Sequence, residues 1–361
     1  MKRRTFLKDA ALAAVAGVAA TQGLLSCNRS PKKPSLPGVA ADFSFRADGS
    51  FTLLQFTDTH IIADDPRSQR GLACMKEALE AVKPDLVIHT GDILFGKPDL
   101  ASAREALQIL SDSGIPWAVA LGNHDAQFGS TRDEVFALIR SLPGNVNTPP
   151  KEDVYGLSND VLTLSGAQGV ERAFYLFDTM DSVVLKGEEQ VRCYDYLRLS
   201  QLAWYRAHSE RLAARHGGEP VPALAFMHIP PREVKEALEA GGELIGNNFE
   251  APCPSRLNSG LVAQLREMQD VEAVVTGHDH DCDYVLRHGP LFYIYGRYSG
   301  GDTVYNHLSR SGYTKVKEEK VSGCRLFRFQ SGEAGFQTCV RLFGGEIQQN
   351  ARLRDGAITL F

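Results

Sequence analysis

The sequence predicts an α/β fold, and two patterns indicate it. From about residue 51 onward, short apolar runs alternate with segments in which apolar residues recur at helical spacing. The apolar runs show no polar alternation, which is typical of strands that are covered on both faces. We therefore expect strands joined by helices, with helices or a second sheet on each side.

The elements follow one another in a regular order. The first five have the order β-α-β-α-β and are "FTLLQF", "LACMKEALEAV", "DLVIHT", "ASAREALQILSDSG" and "PWAVAL". A helix then begins at "STRDEVFALIRSL", where Thr131 and Glu134 have the spacing of a capping box. Two later strands, "PALAFM" and "VEAVVT", are separated by helical segments, one of which is expected to end at Gly217. Two strand-like segments near the C-terminus, "CRLFRFQ" and "FQTCVRLF", are joined by the turn "SGEAG".

Composition and charge narrow the functional class. The chain has 361 residues, 43% of them hydrophobic, and is long enough to bury a large core. Its formal net charge is -5 and its pI is about 6.1. Proteins that bind nucleic acids usually carry a basic face, so we expect no nucleic-acid binding.

The N-terminus has the features of an export signal. Arg3 and Arg4 precede an Ala-rich apolar stretch that is too short to span a bilayer, which resembles a twin-arginine signal. "LLSC" resembles a lipoprotein box, so acylation of Cys27 would anchor the protein to a membrane. We expect a signal peptide over residues 1–27, a Pro-rich linker over 28–50, and a periplasmic or cell-envelope location. A chance arginine pair in a frayed segment is the alternative.

The cysteines leave their redox state open. Apart from Cys27 there are six, and their disulfide pairing cannot be deduced from sequence. Buried free thiols are the alternative. None of the cysteines forms a CxxC pair, which argues against a thiolate zinc site.

Residues that carry chemistry cluster just after the predicted strands. Because the carboxyl ends of strands in an α/β sheet converge on one crevice, residues far apart in sequence can meet there. Side chains two apart on an extended segment point the same way, so Asp58 with His60, and His278 with His280, are expected to form local pairs. The residues at these strand ends are Asp58, His60, Asp92, Asn123, His124, Asp125, His228, His278 and His280.

This residue set is suited to metal ions. Carboxylate, amide and imidazole groups form a mixed nitrogen and oxygen ligand set that suits Mn, Fe or Zn. The groups are too many for one ion, and a carboxylate is the natural bridge between two. We expect two divalent or trivalent ions, with Asp92 as the bridge.

The motifs "DTH", "GD", "GNHD", a lone His after a strand, and "GHDH", in this order, resemble the calcineurin-like metallophosphoesterase superfamily. The resemblance covers roughly residues 51–345, which leaves 346–361 as a C-terminal tail. The flanking segments are similar to the purple acid phosphatase-related branch. The resemblance implies a four-layer sandwich of two mixed β-sheets flanked by helices.

The resemblance also implies roles for the site residues. It places Asp58, His60, Asp92 and His280 on one metal, and Asp92, Asn123, His228 and His278 on the other. His124 would face the substrate. Because Asp125 follows His124 directly in sequence, we expect it either to orient the His124 ring in catalysis or to cap backbone. Purple phosphatases have a metal-binding Tyr three residues after the bridging Asp, where this chain has Phe95. We therefore expect a colourless enzyme.

The predicted function is that of an exported phosphoesterase, in which a hydroxide activated by two metal ions hydrolyses a small phosphate ester. Arg297, in the loop "YGRYSGG", favours monoesters slightly because it could clamp distal phosphate oxygens. A solvated Arg in a Gly-rich turn is the competing interpretation of that residue. A phosphodiesterase of the same fold, or a non-catalytic protein that metals stabilise for binding another partner, are the alternatives.

Overall fold

The structure is a computed structural model that describes residues 36–185, 191–305 and 321–361. The predicted signal peptide lies outside the described residues. Among the described residues, no helix combines the length and the apolar character that a membrane span requires.

The strands form two large sheets and a small hairpin. In chain order they are β1 (Ala41–Ser44), β2 (Ser50–Phe56), β3 (Leu86–His89), β4 (Trp117–Val119), β5 (Asp160–Gly166), β6 (Gly169–Leu176), β7 (Ser182–Leu185), β8 (Val191–Tyr194), β9 (Ala223–Phe226), β10 (Glu243–Ile245), β11 (Val271–Thr276), β12 (Val285–His288), β13 (Leu291–Tyr295), β14 (Gly323–Gln330), β15 (Phe336–Leu342), β16 (Ile347–Arg354) and β17 (Ala357–Leu360). The hairpin pairs β7 with β8.

Both large sheets are mixed. The first has the strand order β1-β5-β6-β9-β11-β13-β12-β10, and β6, β9, β11 and β13 are parallel within it. The second has the order β17-β16-β15-β14-β2-β3-β4, with β2, β3 and β4 parallel. Each of the five strands that precede predicted site residues therefore has a parallel neighbour: β2, β3 and β4 in one sheet, and β9 and β11 in the other.

Helices cover the outer face of each sheet. They are α1 (Gln69–Val82), α2 (Asp99–Asp112), α3 (Arg132–Ser141), α4 (Leu199–Arg215), α5 (Glu233–Glu239) and α6 (Leu261–Met268), with a short 3₁₀-helix at Pro66–Ser68. The first three pack on the second sheet and the last three on the first. The predicted capping box begins α3, with the Thr131 side chain accepting from the Glu134 N–H.

The strands are apolar on both faces because each face is buried against a different layer. In β2, Phe51 and Leu53 face the other sheet, whereas Leu54 and Phe56 face the helices. Burial of each such side chain contributes about 1.5 to 3 kcal/mol. The layers follow the order helix, sheet, sheet, helix, which confirms the predicted four-layer sandwich.

Two predicted boundaries differ from the structure. Part of the predicted linker is folded, because β1 pairs with β5 and the side chains of Leu36 and Val39 are buried in the core. The predicted tail is also folded, because β16 and β17 extend the second sheet. The predicted strands at 324–330 and 336–343 match β14 and β15.

The cysteines of the described segments have free thiols. Cys74, Cys282, Cys324 and Cys339 are buried, Cys193 is partly buried and Cys253 is exposed. Burial raises the pKa of the Cys74 thiol to about 12. The buried cysteines thus pack as small apolar side chains.

Candidate metal centre

The site lies where the carboxyl ends of five strands from both sheets converge. Asp58 and His60 follow β2, Asp92 follows β3, and Asn123 follows β4. From the other sheet come residue 228, after β9, and residues 278 and 280, after β11. The face-to-face packing of the two sheets brings these loops together, as the strand-end pattern predicts.

Four side chains form the first group: Asp58, His60, Asp92 and His280. All are buried, and one candidate ligand atom from each lies within 4.8 Å of the others. The Nε2 atoms of His60 and His280 are 3.0 Å apart. His280 Nε2 is 3.5 Å from Asp58 Oδ1, and His60 Nε2 is 3.7 Å from Asp92 Oδ2. The nitrogens and carboxylate oxygens thus point towards a common centre.

The second group shares Asp92 with the first and adds His228 and His278. His228 Nε2 is 3.1 Å from Asp92 Oδ2 and 3.3 Å from His278 Nδ1. Asn123 belongs with this group, because its Oδ1 is 3.1 Å from His228 Nε2. The structure therefore brings together all seven predicted metal ligands, in the two sets that the resemblance implies.

Burial and mutual charge set the protonation of these groups. Burial opposes ionisation of Asp92, but the adjacent His228 imidazole holds the pKa of this carboxyl below its usual range. Burial lowers the pKa of His60 to about 4 and that of His278 to about 3. Burial would also lower the pKa of His228, but the Asp92 carboxylate raises it to about 9. The site thus combines ionised carboxylates with two imidazoles that are neutral at pH 7.

The residues present fit metal ions. The ring nitrogens that face the centre lie against other imidazole nitrogens, with His60 Nε2 3.0 Å from His280 Nε2 and His278 Nδ1 3.3 Å from His228 Nε2. The close imidazole nitrogens of His60 and His280 would share a cation more favourably than they share one proton, because only lone pairs then point at the centre. Ionised carboxylates and neutral imidazoles are the forms that coordinate metals, so a bound cation would replace the proton that the Asp92 carboxylate favours on His228. The nitrogen and oxygen set suits Mn, Fe or Zn.

The backbone at the site is not extended. Asp58, His60, Asp92 and His278 all have positive φ, between 46° and 79°. Such conformations cost about 1 to 3 kcal/mol each and cluster at functional sites. The expectation of local pairs on extended segments was wrong for His278 and His280, which belong to different groups.

Glycines allow these loops to approach one another. A Cβ atom on Gly122 would collide with the Asp92 side chain, and one on Gly277 would collide with Thr57. Gly91 has φ of 87° and lies against the Gly122 backbone. The glycines of "GD", "GN" and "GH" therefore allow the backbones of neighbouring loops to come close together, because they have no Cβ atom.

The Asp125 carboxylate binds backbone N–H groups rather than the His124 ring, which it would contact in the predicted catalytic role. Its carboxylate accepts hydrogen bonds from the backbone N–H groups of Ile93 (2.6 Å), Gly122 (2.7 Å) and Asp92 (3.1 Å). Asp125 thus links the loop after β3 to the loop after β4 through hydrogen bonds. This contact matches the alternative expectation, in which Asp125 caps backbone N–H groups. The partner of His124 is Gln127, whose Oε1 is 2.7 Å from His124 Nδ1. Gln127 lies three residues after His124, and sequence reasoning missed it.

The structure does not support the predicted substrate contact of Arg297. Its side chain is 4% exposed and donates from Nη1 to Asp283 Oδ2 at 2.7 Å. Nε and Nη2 donate to the Val321 carbonyl. Arg297 therefore pairs with a buried carboxylate inside the fold.

Comparisons with known proteins agree with this architecture. Residues 51–282 match the family described as calcineurin-like phosphoesterase. Two relatives in Arabidopsis thaliana are named probable inactive purple acid phosphatases 28 and 29. They are 30% and 29% identical, over 76% and 75% of this chain and 74% and 76% of their own. The crystal structure of a dimetal phosphatase from Danio rerio aligns with a TM-score of 0.53 at 14% identity, covering 84% of this chain and 99% of that one.

Proposed function

Because the chain belongs to the calcineurin-like phosphoesterase family, we propose that it hydrolyses phosphate esters at a two-metal centre built around Asp92. The single observation that supports this most is the shared position of the Asp92 carboxylate. It belongs to both groups of candidate ligands, and each group contains further His or Asp side chains. A carboxylate between two ligand clusters is the expected arrangement for two adjacent cations.

The candidate ligands form two sets, one for each ion. Asp58, His60 and His280 would hold one ion with Asp92, and Asn123, His228 and His278 would hold the other. Bound cations would supply Lewis acidity, which stabilises charge on phosphoryl oxygens and lowers the pKa of water.

His124 is the catalytic side chain in this proposal. Its backbone N–H donates to Asp92 Oδ1 at 2.8 Å, which fixes the residue at the edge of the centre. Its Nε2 is 4.0 Å from Asp92 Oδ2, and 29% of its side chain is exposed. The ring is thus open to a substrate while it faces the ligand cluster. Protonated Nε2 can donate its proton to the leaving-group oxygen.

Two features decide between this proposal and its alternatives. The two plant relatives are named as inactive, and that description applies to those proteins. In this chain the two ligand groups and His124 lie together, and a purely structural metal site would not require His124. Because Arg297 pairs with Asp283, it no longer supports a preference for monoesters, and no other described side chain of the site replaces it in that argument.

Hydrolysis of chromogenic esters tests the proposal. The purified protein, stripped of metal and reloaded with Mn, Zn or Fe, is expected to hydrolyse 4-nitrophenyl phosphate or bis(4-nitrophenyl) phosphate. His124→Ala should lower kcat by about a hundredfold through loss of proton transfer, with metal content unchanged. His216→Ala, at an exposed histidine that directly follows α4, is the control and should keep full activity.

The ratio of the two rates assigns the ester class. A folded protein that binds two ions per chain and hydrolyses neither ester with any metal would overturn the catalytic proposal. That outcome would favour the binding protein instead.

We also propose export and lipid anchoring, which Arg3, Arg4 and the "LLSC" segment that ends at Cys27 support. Cys27→Ala, expressed in a bacterium with both export systems, is expected to move the protein from the membrane fraction to the soluble fraction. Cys253→Ala removes an exposed cysteine of the fold and is the control. Equal distribution of the wild-type and Cys27→Ala proteins would contradict lipid anchoring.

A further inference from the structure

A chain of two hydrogen bonds leads away from the His124 ring. His124 Nδ1 is 2.7 Å from Gln127 Oε1, and Gln127 Nε2 donates to Asp181 Oδ1 at 3.1 Å. Gln127 lies in the loop after β4, and Asp181 directly precedes β7. The Asp181 carbonyl accepts from the Asp195 N–H at 3.2 Å, which closes the base of the β7–β8 hairpin. Two segments 54 residues apart therefore meet behind the imidazole.

The chemistry of the three groups fixes the direction of each hydrogen bond. A carboxylate only accepts, so Asp181 takes an N–H of the Gln127 amide. The amide oxygen is then left to face His124, and because this oxygen also only accepts, Nδ1 of the imidazole must carry a proton. We propose that Gln127, with its amide oriented by Asp181, is a positioning residue that holds His124 as the Nδ1–H tautomer with Nε2 directed at the substrate.

The remaining contacts of the ring restrict its position without choosing its tautomer. Phe95 meets the His124 ring edge-on, with centroids 4.9 Å apart and an interplanar angle of 76°. His60 meets it at 5.5 Å and 65°. Neither ring contact distinguishes the two nitrogens, and Asp92 Oδ2, 4.0 Å from Nε2, lies beyond hydrogen-bond distance. Among the described residues, the Gln127 amide is therefore the partner that selects which nitrogen bears the proton.

The consequence for catalysis rests on the proposed function. Water adds to phosphorus and releases one proton to solvent as the bond to the leaving oxygen breaks, and the electron pair of that bond stays on the oxygen. The imidazolium of His124 gives its Nε2 proton to this oxygen and becomes neutral, with its other proton on Nδ1, and solvent reprotonates Nε2 before the next turnover. A ring turned or protonated differently cannot deliver that proton. The effect should be largest for esters whose leaving group needs protonation.

The first test is spectroscopic and requires no turnover. In ¹⁵N spectra of the zinc-loaded protein, at a pH where the His124 ring is neutral, its resonances should show the Nδ1–H tautomer. His124→Ala identifies the signal. Gln127→Ala should shift the population towards Nε2–H, and Asp181→Ala should shift it less. Gln108→Ala is the matched control, because the Gln108 amide also donates to an aspartate, Asp112, in a solvent-exposed hydrogen bond. An unchanged His124 spectrum in Gln127→Ala would overturn the proposal.

The second test separates positioning from a general structural role. Gln127→Ala should slow phenyl phosphate hydrolysis by about tenfold, a fraction of the full contribution of a general acid. Hydrolysis of 2,4-dinitrophenyl phosphate, whose leaving group needs no proton, should fall less than about twofold. The double variant with His124→Ala should be no slower than His124→Ala alone.

The failures of the two proposals are distinguishable. Equal losses on both esters, or additive losses in the double variant, would contradict positioning while leaving phosphoesterase activity intact. Absence of hydrolysis in the wild-type protein would contradict the proposed function, and the tautomer measurement would still decide the role of Gln127.

Discussion

Replacement of Asp92 by asparagine is expected to lower phosphate ester hydrolysis by about a thousandfold or more, because several kcal/mol of charge stabilisation depend on the shared carboxylate. Asparagine has nearly the same shape but only one oxygen and no charge. His228 would lose the carboxylate 3.1 Å from its Nε2, and His60 the carboxylate 3.7 Å from its Nε2. Both ligand groups are thus weakened by one substitution.

Metal content and activity should be measured together for this variant. Elemental analysis after dialysis is expected to show fewer than two ions per chain, with kcat reduced in parallel. Asp112→Asn, at an exposed aspartate at the end of α2, is the matched control and should keep both properties. Full activity of Asp92→Asn at two bound ions per chain would show that Asp92 is not the bridge.

Arg297→Ala is expected to lower the free energy of unfolding by about 3 to 5 kcal/mol, the usual cost of leaving one partner of a buried ion pair uncompensated. The Asp283 carboxylate would keep its neutral donors, namely the Asn247 N–H at 2.9 Å, Asn247 Nδ2 at 3.2 Å and Gln349 Nε2 at 2.8 Å. Those contacts do not replace the charge of the guanidinium. The Val321 carbonyl would lose its donors as well.

Denaturant unfolding measures this loss, and the Michaelis constant distinguishes the two roles of Arg297. Under conditions where Arg297→Ala is folded, KM for either nitrophenyl ester should match that of the wild-type protein. Arg352→Ala breaks an exposed ion pair with Glu333 and should cost at most about 1 kcal/mol. A raised KM with unchanged stability would restore the substrate contact that the sequence suggested.

The strands that build the site were predictable because both their faces are buried. "FTLLQF" and "VEAVVT" have no polar alternation, and both lie in the interior of their sheets. The edge strands β1 and β17, with four residues each, lie in the segments that the sequence predicts as a linker and a tail. Their pairing depends on strands that are distant in sequence, such as β5 for β1.

The predicted metal ligands meet because each follows a strand, and strand ends converge irrespective of sequence distance. The roles of Arg297, Asp125 and Gln127 depend instead on side-chain direction. Arg297 turns inward to Asp283, and Asp125 turns to three backbone N–H groups rather than to its neighbour His124. The orientation of the Gln127 amide depends on its hydrogen bond to Asp181, which is 54 residues away, so no local sequence pattern indicates it. Such roles become visible only when the packed side chains are known.

The most direct test of the central claim is an anomalous diffraction experiment on crystals of the zinc- or manganese-loaded protein. We expect two anomalous peaks per chain about 3.5 to 4 Å apart, with the Asp92 carboxylate between them. Asp58, His60 and His280 should contact one peak, and Asn123, His228 and His278 should contact the other. A single peak at saturating metal, or two peaks that do not share Asp92, would contradict the two-metal centre proposed for this chain.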